Sequence, residues 1–226
     1  MKTLLGIFVS VAVIGTVGII SSLQTDRLTD TTVGRAVVEL HITKVEQVKH
    51  NKQGETKVQD LTTHGVCSGS FIDASGDILT AGHCTADAVA IEVVTFDNKT
   101  YKAGVLATSV VHDLALLHID RRSPAYFRAA PVIIRGEQIF ILGSPLGISD
   151  TLSTGVIAKL GGDETLVDCG ALPGNSGSPV YDRNYNMVGV LVEGYFVGTG
   201  TTHLNIAQSS DTIQFFMASA FRRAAR

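Results

Sequence analysis

The sequence predicts an all-β chain: two six-stranded antiparallel β-barrels, preceded by an N-terminal apolar helix and followed by a C-terminal helix. Three observations carry this. Short apolar runs bounded by Gly, Asn, Asp and Ser clusters recur from Ala36 to Ala207, as the strands of small barrels do. The series is interrupted once, at Asp120–Ala130, where Arg121, Arg122 and Pro124 mark a connector between two halves. A helical repeat follows only after Ser209-Ser210-Asp211, a helix-start signal, with Ile213, Phe216, Met217, Ala220 and Phe221 on one face. At 226 residues the chain exceeds an average domain, but barrel proteins often reach this size as one unit. The expected division is 1–25 as a membrane anchor or signal segment, 26–33 as a linker, 34–120 and 121–208 as barrels, and 209–226 as the closing helix.

In the first half, Ala36–Ile42 alternates and reads as a strand. Val45–Thr63 is polar and Lys-rich and turns at Asn51-Lys52-Gln53-Gly54, so it reads as a long exposed hairpin. Gly65–Ile72 and Asp77–Ala81 are strands joined at Ala74-Ser75-Gly76. Val89–Thr95 and Lys102–Thr108 flank an Asp97-Asn98 turn, and Leu114–Ile119 closes the set. The second half offers strands at Ala130–Ile134, Gln138–Leu142, Ser153–Leu160, Leu166–Asp168, Pro179–Tyr181, Met187–Glu193 and Leu204–Ala207. Pro145 and Gly147 mark a loop there, and Gly161-Gly162-Asp163 a turn.

Composition narrows the function. A net charge of −3 with 17% charged residues argues against nucleic acid as a partner. Residues 4–23 carry no charge, and the apolar run Leu4–Ile20 is longer than a usual signal core and approaches a bilayer span. No clean small-residue cleavage site follows. The expectation is therefore an uncleaved anchor, with the bulk of the chain on the extracytoplasmic side because Lys2 stands on the short side. The alternative is a secreted or periplasmic chain after signal cleavage. No C-x-x-C or H-E-x-x-H is present, so no metal and no cofactor is expected.

The chemistry centres on Leu172-Pro173-Gly174-Asn175-Ser176-Gly177-Ser178-Pro179. Gly174 and Gly177 free the backbone to curl, so consecutive N–H groups can converge where the Ser176 hydroxyl points. A nucleophile beside convergent donors suits acyl transfer, because charge builds on the carbonyl oxygen during attack. Upstream stand Thr80-Ala81-Gly82-His83-Cys84 and His112-Asp113-Leu114. The order His83, Asp113, Ser176 matches one triad arrangement and not the Ser–Asp–His order of α/β-hydrolases. Ser178 occupies the place of the second Gly of G-x-S-x-G, which disfavours an esterase elbow.

On these motifs the chain resembles chymotrypsin-fold serine proteases, over about residues 34–218. Asp168–Pro179 and Phe140–Gly147 are similar to HtrA/Deg stretches, and Gly177-Ser178-Pro179-Val180 to the glutamyl-endopeptidase form. The resemblance implies a serine endopeptidase acting on protein or peptide substrates, with His83 as base, Asp113 as its orienting carboxylate and Ser176 as nucleophile. It places the oxyanion hole at Gly174, Asn175 and Ser176, with the N–H groups of Gly174 and Ser176 as donors. It also implies a disulfide between Cys67 and Cys84, leaving Cys169 as a buried small residue. The neutral Asn175 cannot pair with a newly cut N-terminus, so activation by cleavage is not expected. Gly82 stands where Ala is commoner, which is expected to loosen that turn, and no PDZ domain is expected after the closing helix.

By analogy the substrate pocket comprises Cys169, Gly170, Ala171, Leu172, Val192, Glu193, Gly194 and His203. A small or apolar residue before the cleaved bond is expected; Glu193 would instead favour a basic one and His203 an acidic one. Self-association, known among HtrA relatives, stands open. The competing class is a catalytically silent protease-fold binding module. His41, His50, His64, His112 and His118 are read as structural.

Overall fold

The computed structural model describes residues 33–52, 55–197 and 200–224. The predicted anchor and all but the last residue of the linker lie outside the described residues.

Strands β1 (Val37–Lys52) and β2 (Glu55–Phe71) form one long hairpin, paired from Val37↔Ser70 to Lys52↔Glu55. The ladder thus runs through the polar arm that the sequence marks only as an exposed hairpin. Alternation sends Val38, Leu40 and Ile42 into the core. Next come β3 (Asp77–Ala81), a single helical turn α1 (Gly82–Thr85), β4 (Ala88–Val94), β5 (Thr100–Lys102), β6 (Gly104–Ser109) and β7 (Leu114–His118). They form a sheet in the order β5-β4-β1-β2-β3-β7-β6.

The predicted strand Lys102–Thr108 is split at Ala103, whose N–H donates to Ile91 O at 2.9 Å. Before this corner the chain pairs with β4, and after it with β7. The two edges of the sheet are therefore consecutive pieces of one bent segment. Where the sequence predicts a six-stranded closed barrel, this is a seven-stranded half-barrel: its edges are joined through the chain itself, and among the described residues no edge-to-edge pairing closes it.

The second half contains β8 (Arg128–Ala129), β9 (Gln138–Gly143), β10 (Thr151–Leu160), β11 (Glu164–Cys169), β12 (Pro179–Tyr181), β13 (Asn186–Val197) and β14 (Gly200–Ser209). Strand β12 pairs with both β9 and β13, so six strands close a ring around Ile139, Ile141, Ile157, Val167, Val180 and Leu191. The predicted strand at Ala130–Ile134 is absent. Only Arg128–Ala129 pairs, parallel to Asn186–Met187, and Pro131 follows with no N–H to contribute.

Helix α2 (Ser210–Ala224) begins where the sequence signals it, with Thr212 N–H donating to the Ser209 hydroxyl at 3.3 Å. Ile213, Phe216 and Ala220 are buried in the larger core cluster, and Met217 packs against it. Phe221, predicted on the same face, is exposed, because it lies at the margin of that stripe. Among the described residues no helix is long and apolar enough to cross a membrane.

Candidate active site

His83 sits in α1, directly after the fully buried strand β3. Asp113 ends the β6–β7 turn, and the neighbouring register Ala81↔Leu114 stacks the two turns together. Asp113 adopts φ +48°, a left-handed conformation that Asp tolerates better than most residues. Its main-chain oxygen accepts from Gly82 N–H at 2.8 Å. Its carboxylate accepts from His83 N–H at 2.7 Å through Oδ1, and meets His83 Nδ1 at 2.7 Å through Oδ2. An acceptor at Nδ1 fixes the proton there and leaves Nε2 as the basic nitrogen.

Burial by itself would raise the Asp113 pKa. The bond from the His83 ring, its positive charge when protonated, and the N–H groups of His83 and Gly82 outweigh that effect and hold the carboxyl below its ordinary value. Gly82, expected to loosen this turn, packs closely against Asp113. A Cβ there would lie 3.0 Å from Asp113 Oδ1 and 3.1 Å from Asp113 C, so glycine lets the carboxylate approach.

Ser176 lies on the loop between β11 and β12, bent by Gly174 at φ +102° and Gly177 at φ +85°. Asn175 N–H donates to Leu172 O at 3.0 Å and Gly177 N–H to Leu191 O at 2.7 Å. The N–H groups of Gly174 and Ser176 have no acceptor among the described residues. Asn175, grouped with them in the sequence reading, is therefore spent as a donor, and its side chain is buried beneath the loop.

Ser68 joins this loop to the first barrel. Its N–H donates to Ser176 O at 2.8 Å, its hydroxyl donates to Gly174 O at 2.8 Å, and Ser144 N–H donates to that hydroxyl at 2.9 Å. Sequence reasoning missed Ser68. The available signal was a run of small polar residues, Ser68-Gly69-Ser70, between Cys67 and Phe71 in an otherwise core-facing strand. Gly177 packs so closely that a Cβ would meet Ser68 O at 2.1 Å and Thr80 Oγ1 at 2.2 Å.

Cys67 and Cys84 form a disulfide that ties β2 to α1. Cys84 Sγ lies 3.8 Å from Ser176 O, which places the Ser176 backbone beside the residue following His83. The His83 ring and the Ser176 hydroxyl make no hydrogen bond with each other. One ring nitrogen of His83 and the two disulfide sulfurs lie within 4.8 Å of one another. Sulfurs bonded to each other are not thiolates, so this group is no metal site while the disulfide stands.

A cavity of about 250 Å³ opens beside Ser176. Ala171, Leu172, Val192, Glu193 and Gly194 line it, as do Pro173, Leu191 and Asn205. Cys169, Gly170 and His203, proposed from the sequence, are not among its lining residues. Cys169 is buried behind it, with its thiol pushed up to about 11 by burial. His203 is exposed. Asn205 takes the inner place, its Nδ2 donating to Cys169 O at 2.8 Å and His203 O at 3.1 Å. A lone Asn inside the apolar run Leu204–Ala207 was the sequence sign of it.

The sequence model of the trypsin-like peptidase domain matches residues 67–190, more than half of the chain. The chain belongs to that family. Among curated relatives, this peptidase domain is 27% identical over 165 residues to Protease Do-like 1, chloroplastic, of Arabidopsis thaliana, covering 66% of this chain and 38% of the relative. It is 32% identical over 133 residues to a probable periplasmic serine endoprotease DegP-like of Pseudomonas fluorescens, covering 54% and 28%. The chain thus spans only about a third of the length of these relatives. Its fold is that of the HtrA-type protease AlgW solved with a decapeptide, with a TM-score of 0.70 at 23% identity over 86% of this chain and 66% of that one. A variant of the same protease superposes with a TM-score of 0.79 at 23% identity, over 88% and 67%.

Proposed function

We propose that this chain is a serine endopeptidase using His83, Asp113 and Ser176. One observation carries the reading: both oxygens of Asp113 fix His83 beside a Ser176 loop whose Gly174 and Ser176 N–H groups are unspent. In the reaction, Ser176 Oγ attacks the peptide carbonyl while His83 Nε2 takes its proton. The two N–H groups receive the oxyanion. The imidazolium, stabilised by Asp113, then returns the proton to the leaving nitrogen, and water releases the acyl group by the same steps. Hydrogen bonds of this kind are often unmade before substrate arrives and tighten in the complex.

The mostly apolar cavity beside Ser176 suits a small or apolar side chain before the cleaved bond. Asn175 is a neutral side chain, 2% exposed, and its Oδ1 has no partner among the described residues, which supports a site that does not rely on an ion pair with a cut N-terminus. An extracytoplasmic setting is supported by the disulfide and by the periplasmic naming of relatives. Residues 4–23 would provide the tether.

A silent binding module is the second reading, favoured by the unmade bond between His83 and Ser176. Labelling of the detergent-extracted full chain with a fluorophosphonate separates the two. Labelling that disappears in Ser176→Ala supports the endopeptidase; an unlabelled native chain selects the binding module.

A further inference from the structure

Two cavities flank the reacting pair, and they differ in charge. The first, beside Ser176 and the unspent N–H groups, is where the acyl side of a substrate belongs. The second, of about 220 Å³, is lined by His83 and not by Ser176; the Cys67–Cys84 disulfide, Lys44, Thr63 and His64 also line it. On the reading that this is an endopeptidase, His83 must protonate the leaving nitrogen. The residues after the cleaved bond therefore pass over His83 and into this second cavity.

Its chemistry is cationic at the rim and apolar below. Lys44 stands on β1 opposite Thr63 of β2, and its ammonium donates to His83 O at 3.4 Å. That contact parks a positive charge beside His83 and engages one of three N–H donors. His64 Nδ1 lies 3.3 Å from the Thr43 hydroxyl, so its ring is steadied on the same rim. Ile42 and the disulfide form the apolar part, and no carboxylate lines the cavity among the described residues.

We propose that this cavity is a carboxylate-recognising subsite in which Lys44 is the specificity-determining residue. It takes an acidic side chain, or a free C-terminal carboxylate, on the first or second residue after the cleaved bond. Lys44 supplies charge and His64 a ring nitrogen.

The test uses the full chain and two sets of internally quenched peptides, one varied only at the first and one only at the second residue after the cleaved bond: Asp, Asn or Lys, each with an amidated end. A further peptide in each set ends at the varied position with an apolar residue and a free carboxylate. In at least one set the Asp peptide is expected to exceed the Lys peptide in kcat/KM by up to about fivefold, the worth of one partly exposed ion pair. The ratio should invert in Lys44→Glu and shrink with added salt. Should Lys44→Glu fail to fold, the salt series on the native chain still decides.

Equal rates for Asp and Lys in both sets, or a preference indifferent to both Lys44→Glu and salt, overturn the proposal. Cleavage that favours only the free-carboxylate peptide assigns the subsite to chain ends; favour for the internal Asp assigns it to acidic side chains. Fluorophosphonate labelling is measured alongside. Labelling with equal peptide rates removes this proposal alone, whereas absence of labelling removes the endopeptidase reading and the subsite with it.

Discussion

His83 and Ser176 are held in different ways. His83 is fixed within its own barrel: Asp113 grips its ring and its N–H, and the disulfide ties α1 to β2. Ser176 is held from both barrels through main chain: Gly177 N–H beside it donates to Leu191 O of its own barrel, and Ser68 N–H of β2 donates to the Ser176 carbonyl oxygen from across the cleft. The base is therefore set by contacts within the first barrel. The loop that carries the nucleophile and the two unspent N–H groups depends in addition on a contact from the other barrel. Damage on the first side should alter proton transfer in a site that is otherwise assembled. Damage on the second should disassemble the site while leaving the base in order.

The largest break falls on the first side. Asp113→Asn removes the carboxylate but keeps the Asp113 main-chain oxygen that accepts from Gly82. Turnover is expected to fall about 10⁴-fold, as loss of the orienting carboxylate does in this triad type. Circular dichroism should stay native. A loss under tenfold with native spectra would refute the role given to Asp113.

The disulfide comes next. Its cysteines are 17 residues apart, and closing a loop of that length is worth about 3 kcal/mol. Reduction by a phosphine should lower the urea-derived stability by that amount. Fluorophosphonate labelling in conditions where the chain remains folded should fall less than it does in Asp113→Asn. An unchanged urea midpoint would show that β2 and α1 are held without the covalent tie.

Ser68→Ala probes the other side. It orphans Gly174 O and Ser144 N–H, and a buried group left unpaired costs about 1–3 kcal/mol. Because Gly174 carries one of the unspent N–H groups, kcat is expected to fall about 10- to 100-fold, with a smaller change in KM and an unshifted acidic limb of the pH–rate profile. A stability loss with unchanged kcat would make Ser68 a mere staple. A shifted acidic limb would show that the two sides are not independent.

The same division explains what was readable beforehand. The histidine and aspartate motifs could be read because each is a local signature at the end of a buried strand, and strand register brings them together. The loop around Ser176 could be read from its glycines. Ser68 could not, because its meaning lies in contacts with Ser144, Gly174 and Ser176, far along the chain. Asn205 was obscured in the same way: alternation along β14 marks it as inward-facing, but only the barrel reveals that inward there means the cavity beside Ser176. The break at Ala103 was lost because both pieces have strand composition, and only the change of partner separates them. The rank of Ala130–Ile134 as a strand rested on composition, and Pro131 and the lack of a neighbour overruled it.

Acid gives the smallest effect and the finest comparison. The folded Asp113 carboxyl titrates below its ordinary value of 3.8, because the bonds from His83 and Gly82 outweigh the effect of burial. A depressed folded pKa means that the contribution to stability is complete above the unfolded value and is lost as pH falls through the folded one. The native chain should therefore lose this increment on acidification below the ordinary carboxylate range. Asp113→Asn has no such group to titrate, so the gap between the two urea midpoints should be widest near neutrality and narrow toward strong acid. Ser68→Ala leaves the carboxylate in place, so its midpoint should run parallel to the native curve over the same range. A constant gap for Asp113→Asn, or a narrowing one for Ser68→Ala, would mean that the strength of the first side does not come from the charge on Asp113.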